Sequence, residues 1–327
     1  RVVRGAPDED RDTQIPQNII GNYNSDEAIQ YFESYSIGNS DVDTSVDVFN
    51  YNFLGKSGKF VLDENKNIVQ LEPNGLKIEK VNGFTITDEL GVKYYFSIYE
   101  TTANRNYGQG HDLWSLNVKT AWYLSKVSHP KGDEIYFNYA SDNYTYDSGK
   151  NQYLKILAPS FQSGCTGSIS NGISVSQIGT TMSRISGAKK VTEITNNLTS
   201  DKIVVDYKAN PEVNINNLTQ KGEGLEIESL NFNYLTTPVN RVFLKEVTFK
   251  DTNKKYSFKY ISPELLPERL SFSQDHWGYY NGENNSYFFP NPSKMNNVDV
   301  LLANQNIGAD KEVSTVHSQY GILEEIT

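Results

Sequence analysis

The fold class follows from the stretch Leu244-Lys245-Glu246-Val247-Thr248-Phe249, which continues through Lys250-Asp251-Thr252-Asn253-Lys254 into Lys255-Tyr256-Ser257-Phe258-Lys259-Tyr260. Apolar and polar residues alternate in both halves, and successive side chains of a strand point to opposite faces. The middle of the stretch is rich in Asp, Asn and Thr, which suits a chain reversal. The stretch therefore predicts an antiparallel β-hairpin with one buried face and one solvent-exposed face.

The same arrangement, which we call a unit, occurs twice more. One unit runs from Leu124-Ser125-Lys126-Val127 to Tyr136-Phe137-Asn138-Tyr139, and another from Val191-Thr192-Glu193-Ile194 to Val204-Val205-Asp206-Tyr207. Each opens with two apolar residues three positions apart and closes on a tyrosine. The spacing between units varies, which excludes a fixed-period solenoid. We expect the sheet to be defined by Leu124, Val127, Phe137, Tyr139, Leu244, Val247, Phe258 and Tyr260.

The composition favours an all-β chain and argues against two kinds of partner. Of 327 residues, 37% are hydrophobic and 12% are aromatic, a mixture typical of half-exposed strands. The formal net charge of -10 provides no broad basic surface for nucleic acid. No run approaches the roughly 18 apolar residues of a membrane helix, so we expect no membrane insertion by this segment.

We expect an antiparallel hairpin array with two regions. Residues 1–38 contain a strand end, an acidic tether and a short helix that begins at the N-cap Ser25 and ends before Gly38. Residues 39–327 form a continuous region of strands, and we expect it to be incomplete at both ends because strand patterns reach both ends of the sequence. Interruptions are expected as a loop from Glu100 to Leu113 and as excursions near 141–186 and 275–297.

The strongest candidate for chemistry is Asp275-His276-Trp277, because a histidine beside a carboxylate can act as a general base. No Gly-x-Ser-x-Gly nucleophile motif accompanies it, and adjacent residues of a strand point to opposite faces. The single cysteine, Cys165, lies in a Ser/Gly-rich tract, and the four histidines lack metal-binding spacing. We therefore predict no catalytic residue, no metal and no cofactor. A glycoside hydrolase with distant paired carboxylates stays open as an alternative.

A binding surface is a second interpretation of the same region. Flat aromatic faces lie there beside hydrogen-bonding groups, and sugars stack on such faces. Aromatic residues in a loop of a sheet also pack against the next element of the fold. The candidate ligand-binding residues are Asp275, His276, Trp277, Tyr279 and Tyr280.

The order of these motifs resembles the Rhs/YD-repeat proteins of bacteria. The stretch from Trp122 to Tyr139 is similar to a YD unit, and the stretch from Gly321 to Thr327 resembles the start of another. Arg1 to Glu9, Phe53 to Phe60 and Trp277 to Gly282 resemble further segments of secreted Rhs-like proteins. The chain departs from the family because it lacks a strict Gly-x-x-x-Arg-Tyr-x-Tyr-Asp repeat and anything similar to the family's aspartyl self-cleavage site.

This resemblance implies a large curled sheet that encloses or presents a C-terminal effector domain of the same polypeptide. It implies a secreted or cell-surface location, with the effector or the secretion machinery as partner. The chain would then be a structural, non-catalytic segment. The alternative is a cell-surface adhesin or carbohydrate-binding module whose aromatic loops bind a surface glycan.

Overall fold

A computed structural model of the chain describes residues 3–4, 21, 24–30, 47–63, 65–107, 114–115, 117–152, 154–156, 173–175, 178–208, 214–294 and 307–327. Strands dominate this part of the chain and every strand pair is antiparallel, so the predicted all-β class is confirmed. The strands are β1 (Val3–Arg4), β2 (Phe49–Phe53), β3 (Lys56–Leu62), β4 (Ile68–Gln70), β5 (Lys77–Glu79), β6 (Phe84–Thr87), β7 (Lys93–Phe96), β8 (Ile98–Tyr107), β9 (Val118–Tyr123), β10 (Lys126–Ser128), β11 (Glu134–Asn151), β12 (Leu154–Ile156), β13 (Ile173–Val175), β14 (Gly179–Asn196), β15 (Lys202–Tyr207), β16 (Ile215–Gly222), β17 (Leu225–Thr236), β18 (Val242–Phe249), β19 (Lys255–Tyr260) and β20 (Leu323–Ile326).

The expected short helix begins where the sequence predicts it. Residues 26–30 are helical, and the Ser25 Oγ accepts a hydrogen bond from the Ala28 amide at 3.1 Å. This is the N-cap arrangement, in which a side chain satisfies an amide that has no partner within the helix. Ala28 is fully buried, so one face of the helix packs inwards. The expected continuation towards Gly38 lies outside the described residues.

One sheet joins all of these strands except the separate hairpin β12–β13. Its central strand is β14, which pairs with β11 along one edge and with β8 and then β15 along the other. From β8 the sheet continues through β9, β1, β2 and β3 to β4, and from β15 it continues in chain order to β20. From β11 it continues through β10, β7 and β6 to β5. These pairings branch at β14 and form no ring among the described strands, so the sheet is open.

The first half of the sheet folds over itself at a bend that interrupts two paired strands. The chain passes from β7 to β8 at Ser97, and opposite this point it passes from β9 to β10 through Leu124 and Ser125. The Ser97 and Ser125 Oγ atoms are 2.8 Å apart, and the Ser125 amide donates to the Tyr95 carbonyl at 2.7 Å. Beyond the bend, the apolar face of β5–β7 lies against that of β2, β3 and β9.

The core between these two layers is aromatic. The Phe84 ring on β6 lies 5.4 Å from the Phe49 ring, 5.3 Å from the Phe60 ring and 5.0 Å from the Trp122 ring. Phe60 is 0% exposed and Trp122 is 1% exposed. Aromatic pairs at these distances contribute about 0.5–1.5 kcal/mol each beyond the burial of their area. The interlocked rings therefore hold the two layers together.

The repeated units share a hydrogen bond that the sequence did not reveal. In each unit the hydroxyl of the final tyrosine, which we call the closing tyrosine, donates to the backbone carbonyl of the unit's first residue. The bonds run from Tyr139 to Leu124 at 2.6 Å, from Tyr207 to Val191 at 2.9 Å, from Tyr234 to Ile215 at 2.8 Å and from Tyr260 to Leu244 at 2.8 Å. The unit from Ile215 to Tyr234 was not recognised from the sequence. With it, the described residues contain four units closed in this way.

A β-bulge immediately precedes every closing tyrosine, where the neighbouring strand carries one extra residue. Beyond the bulge, the closing tyrosine pairs with the first residue of the next stretch that opens with two apolar residues three positions apart. The pairs are Tyr139 with Val191, Tyr207 with Ile215, Tyr234 with Leu244 and Tyr260 with Leu323. The units are therefore stacked by one repeated device, although their spacing in sequence differs.

Two expected interruptions of the sheet need correction. The loop predicted from Glu100 to Leu113 is wrong up to Tyr107, because β8 runs through it; Thr102 is buried there, and its Oγ1 lies 2.6 Å from the Thr120 Oγ1. The excursion expected at 141–186 is shorter, because β11 extends to residue 151 and β14 begins at residue 179. These polar strands are held by ladder hydrogen bonds rather than by an apolar pattern.

Candidate functional site

An irregular segment separates β19 from β20 and contains all five candidate ligand-binding residues. Its described parts are residues 261–294 and 307–322, and the expected excursion at 275–297 lies here as far as residue 294. Short 3₁₀ turns occur at Pro263–Leu265, Pro292–Lys294 and His317–Gln319. The segment contacts the end of β11, because the Phe288 amide donates to the Gln152 Oε1 at 3.0 Å.

Residues 274–280 form a tight hairpin, which we call the Trp277 turn. The Asp275 Oδ1 accepts hydrogen bonds from the amides of Trp277 at 2.8 Å and Tyr279 at 3.0 Å. The Asp275 amide donates to the Tyr279 carbonyl at 2.8 Å, and Gly278 occupies the left-handed region with φ 91°. Asp275 is 3% exposed, so its carboxylate is an internal brace of the turn.

The brace projects two aromatic side chains into solvent. Trp277 is 72% exposed and Tyr279 is 61% exposed, whereas single large aromatic rings are usually at least half buried. Tyr280 points the other way, with its ring 5.4 Å from the His317 ring and 6.1 Å from the Tyr320 ring. The structure therefore divides the candidate residues into an exposed aromatic pair and a packed tyrosine.

Asp275 and His276 do not form a carboxylate–histidine pair. The Asp275 Oδ1 is occupied by backbone amides, and the exposed His276 ring lies edge-on to the Trp277 ring at 6.3 Å. The two residues lie in a turn, within the excursion that the sequence predicted from residue 275. The turn offers a flat aromatic surface to solvent.

The Trp277 turn rests on a packed base. The Asn281 Nδ2 donates to the Asp310 carbonyl at 2.8 Å, which ties the end of the turn to residues 307–312. The His317 Nδ1 lies 2.7 Å from the Ser314 Oγ. Its ring covers Gly282, where a Cβ atom would come within 2.4 Å of the His317 Cε1. Gly282 also lies in the left-handed region with φ 80°, so a larger residue here would be strained and would displace the His317 ring.

Lys311 is the charged residue of this region that the sequence analysis missed. It is 9% exposed, and within the described residues its ammonium forms no ion pair. Burial lowers the pKa of Lys311, while the charge of the Asp275 carboxylate acts in the opposite direction. No sequence signal marks this lysine, because it stands between Asp310 and Glu312 like an ordinary surface residue.

The sheet-defining positions fall on the sheet, with different degrees of burial. Leu124 is buried, and Val127 and Phe137 pack against the aromatic core. Tyr139 packs against Tyr123, with ring centroids 5.7 Å apart. The remaining four positions are half-buried in β18 and β19: Leu244, Val247, Phe258 and Tyr260.

Burial also affects the ionisation of the closing tyrosines. It raises the pKa of Tyr139 to about 12, with a smaller contribution from Tyr207. Burial raises the pKa of Tyr207, Tyr234 and Tyr260 as well. These hydroxyls stay protonated at neutral pH and act as hydrogen-bond donors in the units.

Other candidate sites stay without a ligand set. Cys165 lies outside the described residues, and in the described part no three His, Cys, Asp or Glu side chains come together as a metal site. Among the residues that the structure describes, no helix is long and apolar enough to span a bilayer. No protein-family model, no curated protein and no solved structure matches the chain.

Proposed function

We propose that this chain is a non-catalytic β-scaffold, a section of an Rhs/YD-type shell that encloses or presents a C-terminal effector domain of the same polypeptide. The observation that carries the proposal is the device shared by four units, in which a closing tyrosine bonds to its own unit's first carbonyl and pairs with the next apolar start. Such a device extends a sheet without a fixed repeat length. A sheet extended in this way suits a wall that curves around an enclosed domain of irregular shape.

The strand β20 has the opening pattern of a further unit. Leu323 and Ile326 on β20 repeat the apolar spacing that opens each unit, and Leu323 already pairs with the closing Tyr260. All of β20 is solvent-exposed, and its only strand partner among the described residues is β19. A secreted or cell-surface location, with the effector or the secretion machinery as partner, belongs to this proposal.

Limited proteolysis of the native polypeptide from its source tests the scaffold. We expect the effector region to resist protease in the native polypeptide and to become cleavable when Phe60→Ala weakens the aromatic core. Val69→Ala is the control, because Val69 is 45% exposed on β4 and its truncation leaves the core intact. Cleavage of the effector region at the same rate in all three proteins would overturn enclosure, and turnover on a glycoside and ester panel would overturn the non-catalytic assignment.

A second candidate function is adhesion to a surface glycan through the Trp277 turn. The specific observation is that Trp277 and Tyr279 are exposed on a turn braced by a buried carboxylate, since rigid exposed aromatic rings are typical of recognition surfaces. On a glycan array, Trp277→Ala should abolish retention, while Tyr256→Ala, which truncates an exposed ring on β19, should leave it unchanged. Equal retention of both variants, or none by the unmodified chain, would remove this candidate.

A further inference from the structure

A cavity of about 480 Å³ lies between residues of the aromatic core and the paired strands β11 and β14. This volume falls within the range of small-molecule sites, which is roughly 300–1,000 Å³. The lining side chains are mostly aromatic or aliphatic, with lysine the only charged type among them. The lining residues that matter here are Leu54, Tyr123, Tyr139, Tyr144, Lys189 and Tyr207.

Three of the four wall tyrosines use their hydroxyls in hydrogen bonds within the protein. The Tyr123 hydroxyl donates to the buried Glu100 Oε2 at 2.5 Å. The hydroxyls of Tyr139 and Tyr207 donate to backbone carbonyls, as closing tyrosines do. With these groups already bonded, the wall accepts a flat or branched apolar body and offers few further hydrogen bonds.

One positive charge faces this apolar wall. Lys189 pairs with Ser141, and its Nζ donates to the Ser141 Oγ at 2.8 Å. Alternation along the strands places Lys189 and Ser141 on the same face as the paired residues Val191 and Tyr139, which line the cavity. In the described part of the chain no carboxylate is ion-paired with Lys189.

The other charges near the cavity are neutralised or bonded. Lys190 also lines the cavity, and its ammonium is ion-paired with Asp142. The Glu100 carboxylate accepts the Tyr123 hydroxyl behind the wall. Among the described residues, Lys189 is therefore the one lining cation without an ion pair, and an apolar cavity of this kind complements a ligand that combines an apolar body with one negative charge.

We propose that this cavity binds a small amphipathic anion, with a flat aromatic or branched apolar body against the tyrosine rings and a carboxylate or sulfonate on Lys189. The ligand class follows from the wall and the charge together, since the wall alone would accept a neutral molecule. No residue of the Trp277 turn lines the cavity, and the site does not depend on the proposed scaffold function.

Two fluorescent probes that differ by one anionic group test the proposal on the complete 327-residue chain. The anionic probe is 8-anilinonaphthalene-1-sulfonate, and its neutral counterpart is N-phenyl-1-naphthylamine. We expect saturable binding of the anionic probe at a single site. Lys189→Met should weaken that binding by about tenfold, the loss expected for one charge-assisted contact, and should leave the neutral probe's affinity unchanged.

Two further variants locate the probe. Lys202→Met removes a charge that is already ion-paired with Glu193 and that does not line the cavity, so it should change neither affinity. Tyr144→Ala truncates a wall residue that is 44% exposed, so the fold tolerates it, and it should weaken both probes. No saturable binding, equal affinities in Lys189→Met and the unmodified chain, or unchanged binding in Tyr144→Ala would each overturn the proposed site.

Discussion

Removal of a single hydroxyl from a closing tyrosine should destabilise the whole first half of the sheet. Tyr139→Phe keeps the ring that packs against Tyr123 but removes the 2.6 Å hydrogen bond to the Leu124 carbonyl. Leu124 is 8% exposed and lies at the bend between the two layers, so its carbonyl is poorly placed to bond water instead. A buried acceptor left without a donor costs about 1–3 kcal/mol, and we expect a loss within that range.

Equilibrium unfolding in urea measures this loss. Trp122 is 1% exposed and packs edge-on to Phe84, so its fluorescence reports the integrity of the core next to Leu124. The matched control is Tyr256→Phe, because Tyr256 is 53% exposed and no carbonyl of the described residues accepts its hydroxyl. That control should stay within about 0.5 kcal/mol of the unmodified chain, as exposed substitutions do.

The same change in another unit separates a general device from a local contact. Tyr260→Phe removes the bond to the Leu244 carbonyl in the last closed unit, far from Trp122 along the sheet. Because distant sites act independently, its loss should add to that of Tyr139→Phe within about 0.5 kcal/mol in the double variant. A Tyr139→Phe variant as stable as the unmodified chain, or a Tyr256→Phe variant equally destabilised, would refute the role assigned to the closing hydroxyls.

Three further predictions concern the core, the tyrosines and the Trp277 turn. Phe60→Ala empties a fully buried ring position and should cost about 3–5 kcal/mol in urea unfolding, and a cost under about 2 kcal/mol would contradict the packed core. Burial raises the pKa of Tyr139 and of Tyr94 to about 12, the latter with help from Asp88. A tyrosine of the unfolded chain titrates near pH ~10. The stabilisation that the folded chain gains from the protonated Tyr139 and Tyr94 should therefore be complete below that pH and lost as pH rises to about 12. Tyrosinate absorbance of the folded chain that reached its full value near pH ~10.5 would contradict the shift. Asp275→Ala should cost about 1–3 kcal/mol by freeing two backbone amides, whereas Trp277→Ala should cost under about 0.5 kcal/mol, and the reverse order in thermal unfolding would disprove the brace.

Much of the sheet could be predicted because its units carry an alternating apolar pattern that ends on tyrosine. The pattern fails in β8 and in the second half of β11, whose exposed and polar residues read as loops. These strands form because β14 supplies hydrogen-bond partners along their length, and such long-range pairing leaves no trace in local composition. The unit from Ile215 to Tyr234 was missed, although it opens with Ile215-Asn216-Asn217-Leu218 and so has the two apolar residues three positions apart.

The candidate site, like the sheet, was only partly predictable from the sequence. The aromatic residues around Trp277 were visible in the sequence, but the direction of each ring depends on the Asp275 brace and could not be read from spacing. The charge of the Asp275 carboxylate acts on the buried Lys311 although the two residues are far apart in the sequence. The cavity at Lys189 requires a cation from β14 to face rings from β9, β11 and β15, which only the folded sheet brings together.

The most direct measurement of the scaffold proposal is the intact mass of the native polypeptide from its source, together with its terminal peptide sequences. The proposal predicts a polypeptide much longer than 327 residues, with further tyrosine-closed units beyond Thr327 and then a region of different composition. A native polypeptide that ends close to Thr327 would contradict it and would favour a free-standing surface-binding module.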